Sequence, residues 1–412
     1  MKRHQLILVG ILALALALRL AGFSRIAPND FYAAPWYSGD GGDAAEYSAI
    51  AQNIAGGKGF TLQGQATSIR PPLYVFFLAG AYKLFGNQNL SAVRMAQIGI
   101  AIATLALFWF FARAILQNAW GAHLGTLALA LHPRFAVYNL VILTETVFTA
   151  LILSVLWFAV RFYRSQKTGD LTLALGILAL AALTRPTALY FAPLLICWAW
   201  RVAGNSRATK LLPGLLLFAA LTGMWVARNY AQFHALTFSN KSGGGLAEAW
   251  DRTVLEPLGI SNRDILAPYK HLSEEEFAKV GYTLFFTEIR DHPLLIAKIA
   301  WQKLLYWFSP FIKSPSVFVR TLYAFLTTAF FVLGVLGLYR YVRKFGWAVP
   351  LLFLLLFSAF TVMHVLTVPY HRYRFPVIDP YLILFASYTI SELWNKIRLR
   401  RLWEIYQQSS RS

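Results

Sequence analysis

The chain has 412 residues, of which 58% are hydrophobic and only 14% charged, against about a quarter charged in an ordinary soluble protein. That balance excludes a water-soluble globular domain and indicates an all-α, polytopic membrane protein. The formal net charge of +20 sits at the ends of apolar runs, so it reports membrane topology and not a nucleic-acid-binding surface. The single cysteine, Cys197, lies inside an apolar run, which rules out an internal disulfide and a thiolate metal cluster.

In chain order, ten apolar segments read as transmembrane helices: 5–24, 90–115, 119–135, 139–160, 171–185, 187–203, 211–227, 317–339, 346–367 and 376–394. The first reads as a retained span, since no small-x-small exit precedes Gly22. Basic clusters lie at Lys2/Arg3, Arg161/Arg164/Lys167, Arg201/Arg207/Lys210, Arg340/Arg343/Lys344 and Lys396/Arg398/Arg400/Arg401. If each cluster is cytoplasmic, successive clusters must be separated by an even number of spans, and all four separations are even. The apolar stretch 73–85 would break that parity if it crossed, and it is shorter than the ~20 residues a span needs. It is expected to be a juxtamembrane helix started by Pro71-Pro72.

This topology puts both termini in the cytoplasm of a cell (plasma or inner) membrane and leaves two large extracytoplasmic loops, 25–89 and 228–315, in one membrane-embedded domain, 1–412. The acids follow without having been used. Asp30, Asp40, Asp43 and Glu46 fall in the first loop, and nine of the eighteen carboxylates fall in the second. Carboxylates at a membrane surface carry a desolvation cost, so such a cluster implies work done there. Within the second loop, Ser273-Glu-Glu-Glu276 reads as a helix N-cap, with Phe277, Val280, Leu284, Phe285 and Ile289 following at helical spacing. The helix is expected to lie on the membrane surface. Gly243-Gly-Gly245 reads as a flexible turn and lacks the continuation of a phosphate-binding loop, as does Gly56-Gly-Lys-Gly59.

On this reading Asp43, Arg70, His132, Arg134, Glu145, Arg185, Arg228, His371, Arg372 and Arg374 reach the same membrane level, with Arg185 read as an interface anchor there. Arginine forks hold phosphate bidentately, and a nearby carboxylate can deprotonate a hydroxyl. The combination describes transfer of a group from a lipid phosphate to an acceptor outside the membrane. Asp43 is the expected base, with Glu145 the second catalytic candidate. Arg70, Tyr47, Asp40, Arg228, Arg372, Arg374 and His371 are the expected substrate-binding residues. Arg372 and Arg374 are expected to share a face only if their segment is extended. Asp40, Asp43 and Glu145 have oxygens suited to a divalent ion, yet the arginines neutralise phosphate directly, so no metal or other cofactor is expected to be required. A transporter or flippase of lipid-linked sugars is the alternative class. Its usual marks are ionisable groups near the midplane and internal repeats, whereas here the charges gather at one face and no repeat is visible.

At these residues the chain resembles the GT-C glycosyltransferases that use polyprenyl-phosphate sugars, in particular the protein O-mannosyltransferases and the lipid A aminoarabinose transferases. The resemblance is carried by Asp43-Ala-Ala-Glu-Tyr47, Arg70-Pro-Pro-Leu73 running into Phe85-Gly86, Leu143-Thr-Glu145, Trp225-Val-Ala-Arg-Asn-Tyr230 and Arg372-Tyr-Arg-Phe-Pro376. It implies a catalytic aspartate at Asp43, a polyprenyl-phosphate sugar donor, and a glycan, lipid or protein acceptor. The chain departs from the family where many members have Asp-Glu, since Ala44 follows Asp43. Glu46 and Arg70 stand where the aminoarabinose branch usually has a basic residue and a lysine. The sequence runs out soon after the tenth span, where larger relatives carry further spans and a soluble domain.

Overall fold

The computed structural model describes residues 2–28, 30–31, 41–239, 241–269, 271–272, 274–311 and 316–409. Helix α1 (Lys2–Phe23) rises from the basic end of the bundle. The first loop then builds α2 (Gly41–Ala55), a small hairpin and α3 (Pro72–Phe85). The hairpin pairs β1 (Thr61–Leu62) with β2 (Gln65–Ala66), Thr61 opposite Ala66. Its two turn residues, Gln63 (φ 52°) and Gly64 (φ 81°), both adopt the left-handed conformation a two-residue hairpin turn favours. Pro72 opens α3, where the missing N–H is no loss. At fourteen residues α3 is one of the shorter apolar helices and packs on α2.

Two asparagine caps set the next pair: Asn89 accepts from Ala92 N (3.0 Å) to start α4 (Leu90–Leu116), and Asn118 caps α5 (Ala119–Leu131). Pro133 stops α5 before the expected 135 and begins the short α6 (Pro133–Tyr138). After an irregular stretch come α7 (Glu145–Ser165) and α8 (Thr168–Thr184). The expected span 187–203 is broken: Pro186 opens a 3-10 turn, Pro186–Phe191, and only then does α9 (Ala192–Val202) form, with Pro193 in its first turn. Helix α10 (Arg207–Phe233) returns to the loop end.

The second loop folds as α11 (Lys241–Glu248), α12 (Arg252–Leu255), a 3-10 turn at Ala267–Tyr269, α13 (Glu274–Asp291) and α14 (Pro293–Phe308). Gly243–Gly245, expected as a turn, lies inside α11. Helix α13 appears where the spacing placed it, while its proposed cap, Ser273, lies outside the described residues. The apolar side of α13 is partly buried within the loop, with Phe285 stacked on Trp250 at 5.5 Å. The chain ends with α15 (Val317–Phe345), α16 (Ala348–Leu366), the single turn α17 (His371–Arg374) and α18 (Asp379–Ser409).

Every one of the ten apolar runs therefore holds helix. Among the described helices, α1, α4, α7, α10, α15 and α16 are long and apolar enough to cross a membrane. Helices α5, α8 and α18 are shorter or more polar and contribute much of the inner core. Lipid and protein interior are equally apolar, so these helices associate by close packing of small residues. Helix α18 shows this on two sides. A Cβ on Gly125 would stand 2.9 Å from Ser387 Oγ, and one on Gly121 3.0 Å from Ser391 Oγ, so α5 packs tightly on α18. On the other side, a Cβ on Gly334 would meet Leu382 O at 2.7 Å, and one on Gly337 would overlap Phe385 O.

The loop-end elements are pinned to the bundle by Lys303 of α14, which is fully buried. Its ammonium donates to Ala249 O (2.6 Å) and Thr367 O (2.7 Å) and lies 4.4 Å from the Trp250 ring centroid. Thr367 directly follows α16, so one cation joins the second loop to the last hairpin. Burial pushes this lysine down to about 7 from the ordinary 10.5.

Gly337→Ala is expected to lower the melting temperature in detergent, through overpacking that costs about 1–3 kcal/mol. Gly99→Ala on α4, where a Cβ meets nothing within 4 Å, is the control and should be neutral or stabilising. For Lys303 the folded value lies below the unfolded one. The cost of burying the charge is therefore fully present below pH 7 and is relieved as pH rises from 7 towards 10.5. Protection of α11–α14 against hydrogen exchange, corrected for the base-catalysed rise of the intrinsic rate, should increase across that window. Lys303→Met should exchange faster at every pH, because two carbonyls lose their donor, and should show no such pH slope.

Candidate active site

Asp43 stands in the first turn of α2, where the helix N-terminus favours a carboxylate. Helix α2 is held on α3 by buried Ala44, Ile50, Tyr74 and Leu78 and by a Ser48–Tyr82 hydroxyl pair at 2.9 Å. Arg70 precedes two prolines, which holds its backbone extended and aims its side chain at α2. Its Nη2 donates to Asp43 Oδ1 and its Nε to Glu46 Oε2 at 2.7 Å, with the guanidinium 4.8 Å over Tyr47. From the other end of the chain, Arg372 Nη2 donates to Asp43 Oδ2 at 2.7 Å. One carboxylate is thus bridged by two guanidinia, from the first loop and the last hairpin.

A second pair is built from the irregular stretch before α7. Its carbonyls lie inside the bundle and find donors on α4: Gln97 Nε2 donates to Asn139 O (3.0 Å) and Val141 O (2.9 Å), and Arg94 Nε to Leu140 O (2.9 Å). That support sets Thr144 and Glu145 against Arg185, which ends α8. Arg185 Nη2 lies 2.6 Å from Glu145 Oε1, and its Nε donates to Thr144 Oγ1 at 2.5 Å. Glu145 is fully buried, and neither of its oxygens accepts a well-directed hydrogen bond. The two pairs meet at Tyr373. Its ring stacks on His364 at 4.9 Å, lies 5.1 Å from Arg185 and 4.6 Å from Arg372, and its hydroxyl accepts from Arg372.

These groups surround a cavity of about 280 Å³ between the two loops and the last hairpin. Its charged lining is Asp43, Arg70, Arg185, Glu248 and Arg372, and Tyr47, Tyr190, Tyr282 and Tyr373 supply aromatic walls. Three guanidinia facing one cavity suit a phosphate. Each is paired with a carboxylate, so an anion binding there competes with those ion pairs.

Of the residues expected from the sequence, Asp43, Tyr47, Arg70 and Arg372 line this cavity, while Glu145, Arg228, Arg374 and His371 are placed elsewhere. Glu145 does not reach it; it lies behind the wall and holds Arg185. Arg228 is engaged elsewhere, donating to Thr67 O (2.8 Å) and Phe60 O (3.2 Å), so it fixes the backbone ahead of Arg70. Because α17 is helical, Arg374 points away from Arg372 and pairs with Asp379 (2.8 Å) and Trp307 O (2.7 Å). His371 stacks on Tyr306 at 4.4 Å with Nε2 2.7 Å from Tyr306 O. Burial, with Arg134 and Arg374 nearby, pushes it down to about 3, so it is a neutral hydrogen-bond donor there. Asp40 lies outside the described residues.

A second cavity of about 320 Å³ contains His132, Arg374 and Asp379 among apolar side chains. Its arginine is already matched by Asp379, and it offers no further carboxylate. Sequence reasoning misplaced Arg185 and missed Tyr373 and Glu248. Arg185 carried a signal: it precedes a proline, as Arg70 does. Tyr373 was bracketed by two arginines, and Glu248 had no local signal.

Residues 69–227 match the family of dolichyl-phosphate-mannose-protein mannosyltransferases. The match takes in Arg70, Thr144, Glu145 and Arg185, but not Asp43 or Arg372. Comparison with curated proteins gives no match. Among solved structures, the chain is similar to the oligosaccharyltransferase of Archaeoglobus fulgidus in its apo form, at 13% identity and TM-score 0.58 over 97% of this chain and 52% of that one. It is also similar to the same enzyme in complex with an inhibitory peptide and a dolichol-phosphate, at 13% identity and TM-score 0.56 over 97% and 52%. The chain spans about half the length of that enzyme. ArnT from Cupriavidus metallidurans bound to undecaprenyl phosphate aligns at 13% identity and TM-score 0.45, over 93% of this chain and 77% of that one. The chain thus has the fold of the GT-C glycosyltransferases, as its motifs led us to expect, and over residues 69–227 it resembles the protein mannosyltransferases.

Proposed function

We propose that this chain is an inverting glycosyltransferase that moves a sugar from a polyprenyl-phosphate carrier to an acceptor hydroxyl. The observation that carries the reading is Asp43, bridged by Arg70 and Arg372 at a cavity that Arg185 also lines. The matched family is named for a dolichyl-phosphate-mannose donor, and the archaeal enzyme of like fold was solved with a dolichol-phosphate. Both support a lipid-linked donor here. The whole chain acts as one domain, with loops 25–89 and 228–315 closing the cavity on the extracytoplasmic face of a plasma or inner membrane. Both termini are then cytoplasmic. The acceptor is a glycan, lipid or protein, and the sugar a hexose or pentose.

The donor phosphate competes with Asp43 for the guanidinia of Arg70 and Arg372. As it takes them, the carboxylate is released from its two ion pairs and regains basicity. Asp43 then accepts the acceptor's hydroxyl proton while the oxygen attacks the anomeric carbon from the face opposite the phosphate. The bond to the phosphate oxygen breaks, its electron pair leaves with polyprenyl phosphate, and Arg70, Arg185 and Arg372 stabilise the growing charge. Glu145 is a positioning residue, fixing Arg185. With the arginines neutralising phosphate, no divalent ion is required on this reading.

Purified protein supplied with polyprenyl-phosphate sugar and acceptor should release free polyprenyl phosphate, a product that a flippase would not make. Asp43→Asn is expected to reduce that release by about 10²–10⁴-fold, the usual contribution of a general base, while still binding donor. Near-wild-type turnover by this variant would remove Asp43 from the role. Arg70→Ala should weaken both donor binding and turnover, and Arg70→Lys should keep part of each, because the charge survives without the fork. Turnover should persist in chelator; a loss restored by magnesium or manganese would overturn the metal-free reading.

A further inference from the structure

At the basic end of the bundle, between α15 and α18, lies a third cavity of about 530 Å³ that the proposed reaction does not use. Gly334 and Gly337 bring the two helices together at Leu382 and Phe385, and the cavity opens in the turns just beyond that contact. Its walls carry Arg340, Arg343 and Lys344 from α15 and Lys396 from α18, together with Tyr339, Tyr388 and Glu392. The one carboxylate is engaged, with Glu392 Oε1 3.1 Å from Lys344 Nζ. Among the described residues of this lining, four cations against a single acid leave a strong positive excess. Beside the cavity, Val335, Leu336, Ile390, Leu393 and Trp394 present exposed apolar surface, as expected of helices facing lipid tails.

We propose that this cavity binds the phosphodiester headgroup of an anionic phospholipid in the leaflet opposite the candidate active site. The guanidinium forks of Arg340 and Arg343 suit phosphate oxygens, and Lys396 adds a point charge from the facing helix. The acyl chains lie along the apolar surface of the two helices. A basic cavity between transmembrane helices on the cytoplasmic side is well placed to attract such lipids, and the positive-inside tendency puts this end there. The bound headgroup bridges α15 and α18 where their direct contact ends. This inference is independent of the transferase reading.

The test is the full chain reconstituted in phosphatidylcholine vesicles with and without phosphatidylglycerol, with retained lipid counted by native mass spectrometry after extraction. Wild type should retain phosphatidylglycerol. A triple variant, Arg340→Gln with Arg343→Gln and Lys396→Gln, should bind it weaker by on the order of a hundredfold, since each charge at an anionic surface strengthens association about fivefold. Its melting temperature in phosphatidylcholine should equal that of wild type. If the triple variant does not fold, Lys396→Gln alone should weaken retention about fivefold. Retention equal to wild type in the folded variant would overturn the proposal. Displacement of phosphatidylglycerol by millimolar inorganic phosphate would overturn it too, by showing a site for free anions.

Discussion

A single carboxylate bridged by two arginines joins the first loop of this protein to its last hairpin. Asp43 is partly buried beside a membrane surface, and an unpaired charge there would cost several kcal/mol. Arg70 and Arg372 offset that cost from opposite ends of the chain, so the first loop and the last hairpin close on each other through it. The same contacts restrain chemistry, because two guanidinia stabilise the charged form of a carboxylate and make it a poorer base. A phosphate is a better partner for an arginine fork than a single carboxylate oxygen. An anion binding to Arg70 and Arg372 would therefore compete with Asp43 for both guanidinia.

The groups behind this bridge are arranged by the needs of backbone in an apolar medium. The stretch between α6 and α7 leaves carbonyls at Asn139, Leu140 and Val141 that no helix satisfies, and Arg94 and Gln97 donate to them from α4. Irregular backbone at this depth persists only where such partners exist. Its use is to turn Thr144 and Glu145 towards Arg185. Arg228 does comparable work for the first loop, holding the carbonyls of Phe60 and Thr67 and so the approach to Arg70. Residues that look like ligand-binding groups in sequence are in these cases supports for the ones that line the cavity.

The spans were legible because apolar length and basic flanks report depth, which is one coordinate. Depth also placed Asp43, Arg70, Glu145, Arg185, Arg228 and Arg372 at one level. Direction around that level was not legible, because it depends on the conformation of short turns. Arg372 and Arg374 illustrate this: a helical turn at α17 sends one to Asp43 and the other to Asp379. The broken span before α9 was readable in principle from Pro186 and Pro193, but its apolar composition dominated. Gly243–Gly245 folded as helix against the usual cost of glycine there, since the neighbouring Ala247, Ala249 and Trp250 are buried against the rest of the loop.

Charge balance limits what the cavity can accept. Arg70, Arg185 and Arg372 are matched by Asp43, Glu46 and Glu145, and Glu248 adds a further acid to the lining. A strongly anionic ligand is therefore attracted only to the extent that it displaces carboxylates already in place. Glu145 is the hardest to displace, being fully buried, so Arg185 keeps its partner and contributes direction more than free charge. Asp43 is the easiest, because it shares both of its arginines with other acceptors, Glu46 on Arg70 and the Tyr373 hydroxyl on Arg372. On the proposed reading, the group that the entering anion releases is the one that takes the acceptor's proton.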